Sequence, residues 1–209
     1  MKKMAAGSFK IQRMESAYAN LQHALQANRK CVRANILKGE WEAKAGNHEA
    51  AIAAWIQIES QNPAYLCLVA ENLLASYKAL GKQSAGLQLL GGYQERYASL
   101  DLLNVVFQAT LQAEGAETAY RLVRDEVRRN PTLLGLDKLL EAQLLDTPPE
   151  RRNDLQLIKD LIQSHVSRLA RYQCQSCGFK ARQFYWHCPA CGGWETYPPR
   201  RTAELEAVE

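Results

Sequence analysis

The residues best suited to chemistry lie between Tyr172 and Pro199, in YQCQSCGFKARQFYWHCPACGGWETYPP. Four of the six cysteines fall there as two Cys-x-x-Cys pairs, Cys174/Cys177 and Cys188/Cys191, with ten residues between the pairs. Each pair forms a tight turn that presents two sulfurs, and two such turns close a tetrahedron of thiolates around one metal ion. Gly178 and Gly192 follow the second cysteine of each pair, where a turn this tight needs a positive φ and can aim its N–H groups at sulfur. Pro189 stiffens the second turn by fixing φ. A disulfide framework does not fit, because the opening MKKMAAGSFK has no apolar core of a secretory signal. His187 precedes Cys188 and is a fifth candidate ligand, but adjacent residues rarely reach one ion without strain, and four sulfurs already fill the shell.

A tetrahedral S₄ set suits zinc and mononuclear iron alike. The Cys-x-x-Cys-Gly and Cys-Pro-x-Cys-Gly turns resemble those of rubredoxins, which points to iron, although the ten-residue gap is shorter than the usual spacing of paired-cysteine zinc sites. A lobe this small cannot bury enough apolar surface to fold alone. Metal binding supplies about 10–16 kcal/mol to such units. Phe179, Phe184, Tyr185, Trp186, Trp194 and Tyr197 are more aromatic surface than the lobe is expected to hide by itself. Some of it, Trp186 or Trp194 first, is expected to face the rest of the chain.

The elements that must carry this lobe are helical and repeat. Val32 to Tyr65, VRANILKGEWEAKAGNHEAAIAAWIQIESQNPAY, follows the 34-residue helix–turn–helix template of tetratricopeptide repeats. Gly39 sits where two helices approach closely, Gly46-Asn47 makes the turn, and Ala51, Trp55 and Ile58 share one face of the second helix before Pro63 ends it. The template's first-helix aromatic positions hold Asn35 and Glu42 instead. Upstream, Ala17, Leu21, Ala24 and Leu25 mark an apolar face on a helix over 14–27, with no good first helix ahead of it. This is the pattern of the C-terminal portion of a longer protein, or of a face covered by another chain, which would allow a homo-oligomer through that helix. Downstream, Leu68–Leu80 and Ala85–Tyr97 form a pair around Gly81. Leu102–Glu114 and Ala116–Arg129 form another, with Ala119 and Val123 at the small and large positions. Generic helical hairpins would share the periodicity, but the recurrence of turn and proline in phase favours stacked repeats.

Thr132–Leu145 and, after Asp146-Thr147-Pro148-Pro149, a helix over about 150–171 complete the helical part. Leu155, Ile158, Leu161, Ile162, Val166 and Leu169 form an apolar stripe along that last helix. Only Tyr172 and Gln173 separate it from the first cysteine, with no Gly/Ser-rich linker, so the lobe is expected to dock on the stripe. The expected architecture is all-α: a tetratricopeptide-repeat superhelix of about four repeats over 1–171, the first incomplete. A rubredoxin-like or zinc-ribbon β-knuckle lobe follows over 172–199, and a frayed tail over 200–209.

Composition excludes several classes. The chain of 209 residues is 47% hydrophobic and 23% charged, which is not a disordered composition. A net charge of +4 does not by itself point to nucleic acid. No run of eighteen apolar residues occurs, so nothing in the sequence reads as a membrane span. The four histidines (His23, His48, His165, His187) are scattered with no recurring acid–base pair, and Gly91-Gly92 lacks the lysine and strand of a phosphate loop. Cys31 and Cys67 read as small buried hydrophobes on helices. Nothing reads as an enzyme.

Helical repeats running straight into YQCQSCGFKARQFYWHCPACGGWETYPPRR resemble the C-terminal part of the lipopolysaccharide assembly protein B family (LapB, also called YciM). YWHCPxC and the short gap carry the resemblance. It implies Cys174, Cys177, Cys188 and Cys191 as ligands of one metal ion, iron with zinc as the alternative. It further implies a regulatory role in which the protein promotes turnover of the deacetylase LpxC by the protease FtsH, at the cytoplasmic face of the inner membrane, alongside lipopolysaccharide assembly proteins. The family's membrane anchor and first repeats are not in this sequence. Three functions stay open: a protein-binding adaptor, an electron carrier or redox sensor, and a zinc ribbon gripping nucleic acid through Lys180, Arg182, Arg200 and Arg201. The last has too few cations for a basic face, and no nucleic acid is expected. In the solenoid, Ile36 and Glu40 stand at two positions where a known subtype clamps C-terminal carboxylates with Lys and Asn, so that mode is disfavoured.

Overall fold

The computed structural model describes residue 16 and residues 18–168 and 172–199. Ala17, Leu169, Arg200, Arg201 and the tail 200–209 lie outside the described residues. Helix α1 covers 18–27. It is followed by α2 (Val32–Lys44), α3 (His48–Gln61), a 3₁₀ helix (Pro63–Leu68), α4 (Ala70–Ala79), α5 (Gln83–Tyr97), α6 (Leu100–Glu114), α7 (Ala116–Arg129), α8 (Leu133–Asp146) and α9 (Pro149–Arg168). Strands β1 (Tyr172–Gln173) and β2 (Lys180–Ala181) close the order. The chain divides into two compact units, 1–86 and 87–209, with the division inside α5. The architecture is the expected one: all-α helical hairpins of tetratricopeptide type with a small C-terminal knuckle lobe.

In the first unit α2 and α3 form the best-packed hairpin. Trp55 is fully buried and its indole N–H donates to the Ile36 carbonyl at 3.2 Å. Gly39 faces that ring, and a Cβ at residue 39 would overlap it. Ala51 and Ile58 are likewise fully buried, and Gly46 makes the turn at φ 83°. The two positions that depart from the repeat template are nonetheless part of the packed hairpin. Asn35 and Glu42 are both buried. Glu42 accepts from the Tyr18 hydroxyl at 2.8 Å and from the Asn47 side-chain amide at 3.0 Å, tying α1 and the α2–α3 turn to one carboxylate. Those two donors, Asn47 first, hold Glu42 below the usual carboxylate range against the opposing effect of burial, and the same contact raises the Tyr18 phenol.

The expected helix from Leu68 to Leu80 is α4, which begins at Ala70 after a 3₁₀ helix. Pro63 opens a 3₁₀ helix whose first free N–H, that of Ala64, is capped by the Asn62 side chain at 3.1 Å. The chain passes from 3₁₀ to α geometry at Val69, whose N–H bonds back to Leu66. Cys67 belongs to this 3₁₀ turn and Cys31 precedes α2 rather than lying in a helix. Both are half-buried, so neither is the core residue expected.

In the second unit Leu103, Phe107, Ala119, Val123 and Ala142 form one core cluster joining α6, α7 and α8. Ser99 and Thr132 cap α6 and α8 through their hydroxyls, on the N–H groups of Leu102 and Gly135. Helix α9 packs on α8, but not along the whole apolar stripe. Leu155, Ile162 and Val166 turn inward, whereas Ile158 and Leu161 stay 45% and 62% exposed. The inward face is shared with an ion pair. Lys159 reaches Asp137 of α8 at 2.8 Å, and their side chains are only 11% and 7% exposed. Lys159 also lies 3.7 Å from Glu141, which pairs with Lys138 at 2.7 Å and accepts from the Gln108 side chain at 2.9 Å. Burial pushes the Glu141 carboxyl up, but these donors outweigh it and hold its pKa down. The expectation that the lobe covers the stripe therefore fails at Ile158 and Leu161.

Candidate metal centre

Each cysteine pair sits at the tip of a short hairpin. Strands β1 and β2 pair antiparallel, Tyr172 with Ala181 and Gln173 with Lys180, around the first knuckle. An isolated antiparallel bridge between His187 and Trp194 frames the second. The backbones of the two knuckles repeat one another. The Gly178 N–H donates to the Cys174 carbonyl at 2.9 Å, and the Gly192 N–H to that of Cys188 at 2.8 Å. Cys174 N–H donates to the Phe179 carbonyl and Cys188 N–H to that of Gly193, both at 2.9 Å. Gly178 and Gly192 take φ values of 75° and 69°, the left-handed region the sequence pattern required of them. The Gln175 N–H to the Thr196 carbonyl, 2.7 Å, holds the hairpins together.

This arrangement brings the four sulfurs within 4.8 Å of one another. Cys174 lies 3.8 Å from Cys191 and Cys177 lies 3.6 Å from Cys188, sulfur to sulfur. A tetrahedral ion with metal–sulfur bonds of about 2.3 Å requires edges of about 3.8 Å, so the cluster has the size of a filled S₄ site. Cys174 and Cys188 are buried, Cys177 and Cys191 exposed. The Cys174 thiol lies 3.3 Å from the Thr196 hydroxyl. Thr196 itself donates to the Gly193 carbonyl at 3.3 Å, and its hydroxyl beside the sulfur is the main cause that lowers the Cys174 pKa to about 6. For Cys177 the Phe179 backbone pulls down, but burial and the three neighbouring thiols push it up to about 12. Four thiols this close cannot all ionise without a cation among them, which is the chemistry a metal supplies.

The rest of the lobe covers the sulfurs with its own rings. Tyr197 is fully buried against Cys174 and Cys188 and donates its hydroxyl to the Tyr172 carbonyl at 2.9 Å. Tyr172, Phe184 and Tyr185 complete this small core. Phe184 meets Trp186 edge-on at 5.1 Å, and Trp186 stacks on Trp194 at 6.2 Å. Aromatic pairing inside the lobe thus takes up surface expected to face the helices, and Trp194 remains 45% exposed. His187 packs its ring on Trp194 at 4.4 Å and is not among the clustered ligand atoms. Lys180 and Arg182 are exposed on the first hairpin. Thr196 is the functional residue that motif reading missed, since nothing in its spacing marks a hydroxyl that serves a sulfur 22 positions away.

Hairpin repeats that end in a four-cysteine knuckle lobe define a class, helical-repeat proteins with a rubredoxin-type metal-binding module. Residues 172–199 match the family described as a rubredoxin metal binding domain. Over 189 residues the chain is 26% identical to lipopolysaccharide assembly protein B of Escherichia coli K12, and equally to that of strains O6:H1 and O157:H7. The similarity to lipopolysaccharide assembly protein B covers 90% of this chain, which spans about half, 49%, of the length of these curated relatives. A thermophilic TPR protein of Thermus thermophilus aligns with 79% of this chain and 90% of its own at 15% identity and a TM-score of 0.45. Among the described residues no helix is long and apolar enough to cross a membrane.

Proposed function

We propose that this chain is a non-enzymatic adaptor in lipopolysaccharide assembly, its helical hairpins binding protein and its C-terminal lobe holding one structural metal ion. The observation that carries the reading is the match of residues 172–199 to the rubredoxin metal binding domain, within an alignment to lipopolysaccharide assembly protein B covering 90% of the chain. Cys174, Cys177, Cys188 and Cys191 are the ligands in this reading, and the ion, iron or zinc, neutralises their thiolates. Gly178 and Gly192 shape the knuckles, the Thr196 hydroxyl lies beside the Cys174 sulfur while donating to the Gly193 carbonyl, and Tyr197 seals the inner side. The domain limits follow: a repeat region to residue 171, a metal lobe over 172–199 and a tail from 200.

The finer role proposed is regulatory, in that the chain favours FtsH-dependent turnover of LpxC at the cytoplasmic face of the inner membrane. The supporting observation is the likeness to lipopolysaccharide assembly protein B, whose length exceeds this chain's. The test measures LpxC half-life in cells lacking the relative, supplied with this region in a full-length, anchored form. Wild type should shorten the half-life and Cys174→Ser/Cys177→Ser should not. Equal turnover with both would end the structural-metal role, and no effect of either would end the LpxC role.

One observation favours a second reading. Cys177 and Cys191 expose one edge of the sulfur cluster, as electron exchange with a partner would need. An iron-loaded sample that cycles between its two oxidation states without losing metal supports redox sensing, and zinc as the ion of protein purified without added metal rejects it.

A further inference from the structure

We infer that the hollow among α1, α2 and α3 binds a phosphate monoester carried on a polyhydroxyl body, the chemistry of a sugar phosphate. The inference goes beyond the adaptor reading and does not rest on it. The hollow measures about 510 Å³, within the roughly 300–1,000 Å³ of small-ligand sites. Arg29 enters it from the turn after α1, Asn35 and Lys38 from α2, and the amides of Gln22, Gln26 and Gln57 from α1 and α3. No carboxylate lines it among the described residues. Arg29 and Lys38 make no ion pair there either. Glu42, one helical turn beyond Lys38, is taken up by Tyr18 and Asn47. The Arg29 backbone carbonyl accepts from the Gln61 side chain at 2.9 Å, which ties the turn carrying this cation to α3. Asn35 supplies an independent observation. It is only 6% exposed, and its side-chain amide meets no hydrogen-bond partner among the described residues. A buried amide in that state costs stability. The aromatic side chain that the repeat template puts at this position would carry no such cost.

The donor set selects the ligand. Arginine presents a planar fork to an oxyanion and lysine a mobile point charge, so the pair suits a phosphate group. Each side-chain amide offers both donors and an acceptor, the complement of a hydroxyl. The glutamines therefore match hydroxyls on the body that carries the phosphate, and Asn35 gains the partner it lacks. A lone carboxylate would engage the cations and leave the amides idle. Neither Ile36 nor Glu40, the carboxylate-clamp positions, lines this hollow. The same chemistry arises in a free sugar phosphate and in the phosphorylated polyol head of a lipid.

The test titrates the full, metal-loaded chain with glucose 6-phosphate, inorganic phosphate and glucose, read by calorimetry and by the melting temperature. Glucose 6-phosphate should bind about tenfold more tightly than either part alone, the scale of one added hydrogen bond to a charged group. Arg29→Gln/Lys38→Gln should weaken it by about tenfold or more on the same scale, with helical circular dichroism and metal content unchanged. Asn35→Leu should weaken binding as well, yet raise the melting temperature of the ligand-free chain, because it removes an unsatisfied amide. Phosphatidylcholine vesicles with and without phosphatidylinositol 4-phosphate assign the source. Cosedimentation that glucose 6-phosphate displaces supports the site with a lipid head as ligand, and calorimetric binding without cosedimentation supports it with a free sugar phosphate. No binding at millimolar concentration overturns the inference, as does glucose 6-phosphate binding no better than inorganic phosphate or equally to the Arg29/Lys38 variant. Asn35→Leu that lowers the melting temperature and leaves binding intact overturns it too, since the asparagine would then be structural. So does tighter binding by a peptide with a free C-terminus that the Arg29/Lys38 variant loses.

Discussion

The indole of Trp55 occupies the place where a side chain at residue 39 would begin, so Gly39 and Trp55 are one packing unit contributed by two helices. Trp55 is fully buried and hydrogen-bonded to Ile36, which leaves it no room to yield. Replacing Gly39 by Ala has two opposed effects. Better helix propensity favours alanine by about 1 kcal/mol, whereas overpacking a filled core costs about 1–3 kcal/mol. Overlap with a ring that cannot move decides the sign. Gly39→Ala should lower the melting temperature by several degrees in thermal circular dichroism, and an unchanged or raised value would show that α2 can shift away from the ring.

The ion pair between Lys159 and Asp137 makes a second prediction. Both side chains are buried, so removing one partner strands the other. Asp137→Ala should cost about 3–5 kcal/mol in denaturant unfolding. The double change Asp137→Leu/Lys159→Met should recover most of that, since Glu141 keeps Lys138 as partner. A single variant as stable as wild type would mean that Lys159 finds compensation from Glu141 alone.

Acid stability follows from Glu42 and Glu141. Both carboxyls are held below the usual glutamate range. A group with a lowered folded pKa contributes stability that is complete above its unfolded value and lost as pH falls through the folded one. Melting temperature should therefore be flat above about pH 5 and fall below it as these groups protonate. Glu42→Gln should flatten the part of the fall due to the first unit. A wild-type melting temperature that rises on acidification would contradict the sign.

Metal removal should act locally. Cys188→Ser removes one corner of the sulfur cluster and a buried neighbour of Tyr197. Its metal content, measured by elemental analysis, should drop sharply. Near-ultraviolet circular dichroism of the lobe's aromatics should collapse while helical circular dichroism persists. Full occupancy in that variant would refute four-cysteine ligation.

The repeat hairpins were legible because their determinants are local: a glycine at the turns of residues 46, 81 and 115, small and large residues four apart, and a proline after α3 and α7. The cysteine cluster was legible for the same reason, since each knuckle is set by a few consecutive residues. What the sequence hid is non-local. Glu42 stands at a position the template gives to an aromatic, and nothing near it in the chain reveals that Tyr18, 24 positions away, is brought against it. Lys159 lies inside an apolar stripe and yet turns inward, because Asp137 awaits it on α8. Ile158 and Leu161 lie off the face that Leu155, Lys159, Ile162 and Val166 share, and stay exposed. In the lobe, hydrophobicity counted the rings correctly but could not show that they would stack on one another.

The burial of the sulfurs sets a direction for exchange. Each knuckle contributes one cysteine facing the Tyr197 core, Cys174 or Cys188, and one facing water, Cys177 or Cys191. A chelator or oxidant therefore meets the outer pair first. An ion held there would leave by an unzipping that starts at those two sulfurs, with the inner pair releasing last. The centre has a front door, and its hinges are on the aromatic side.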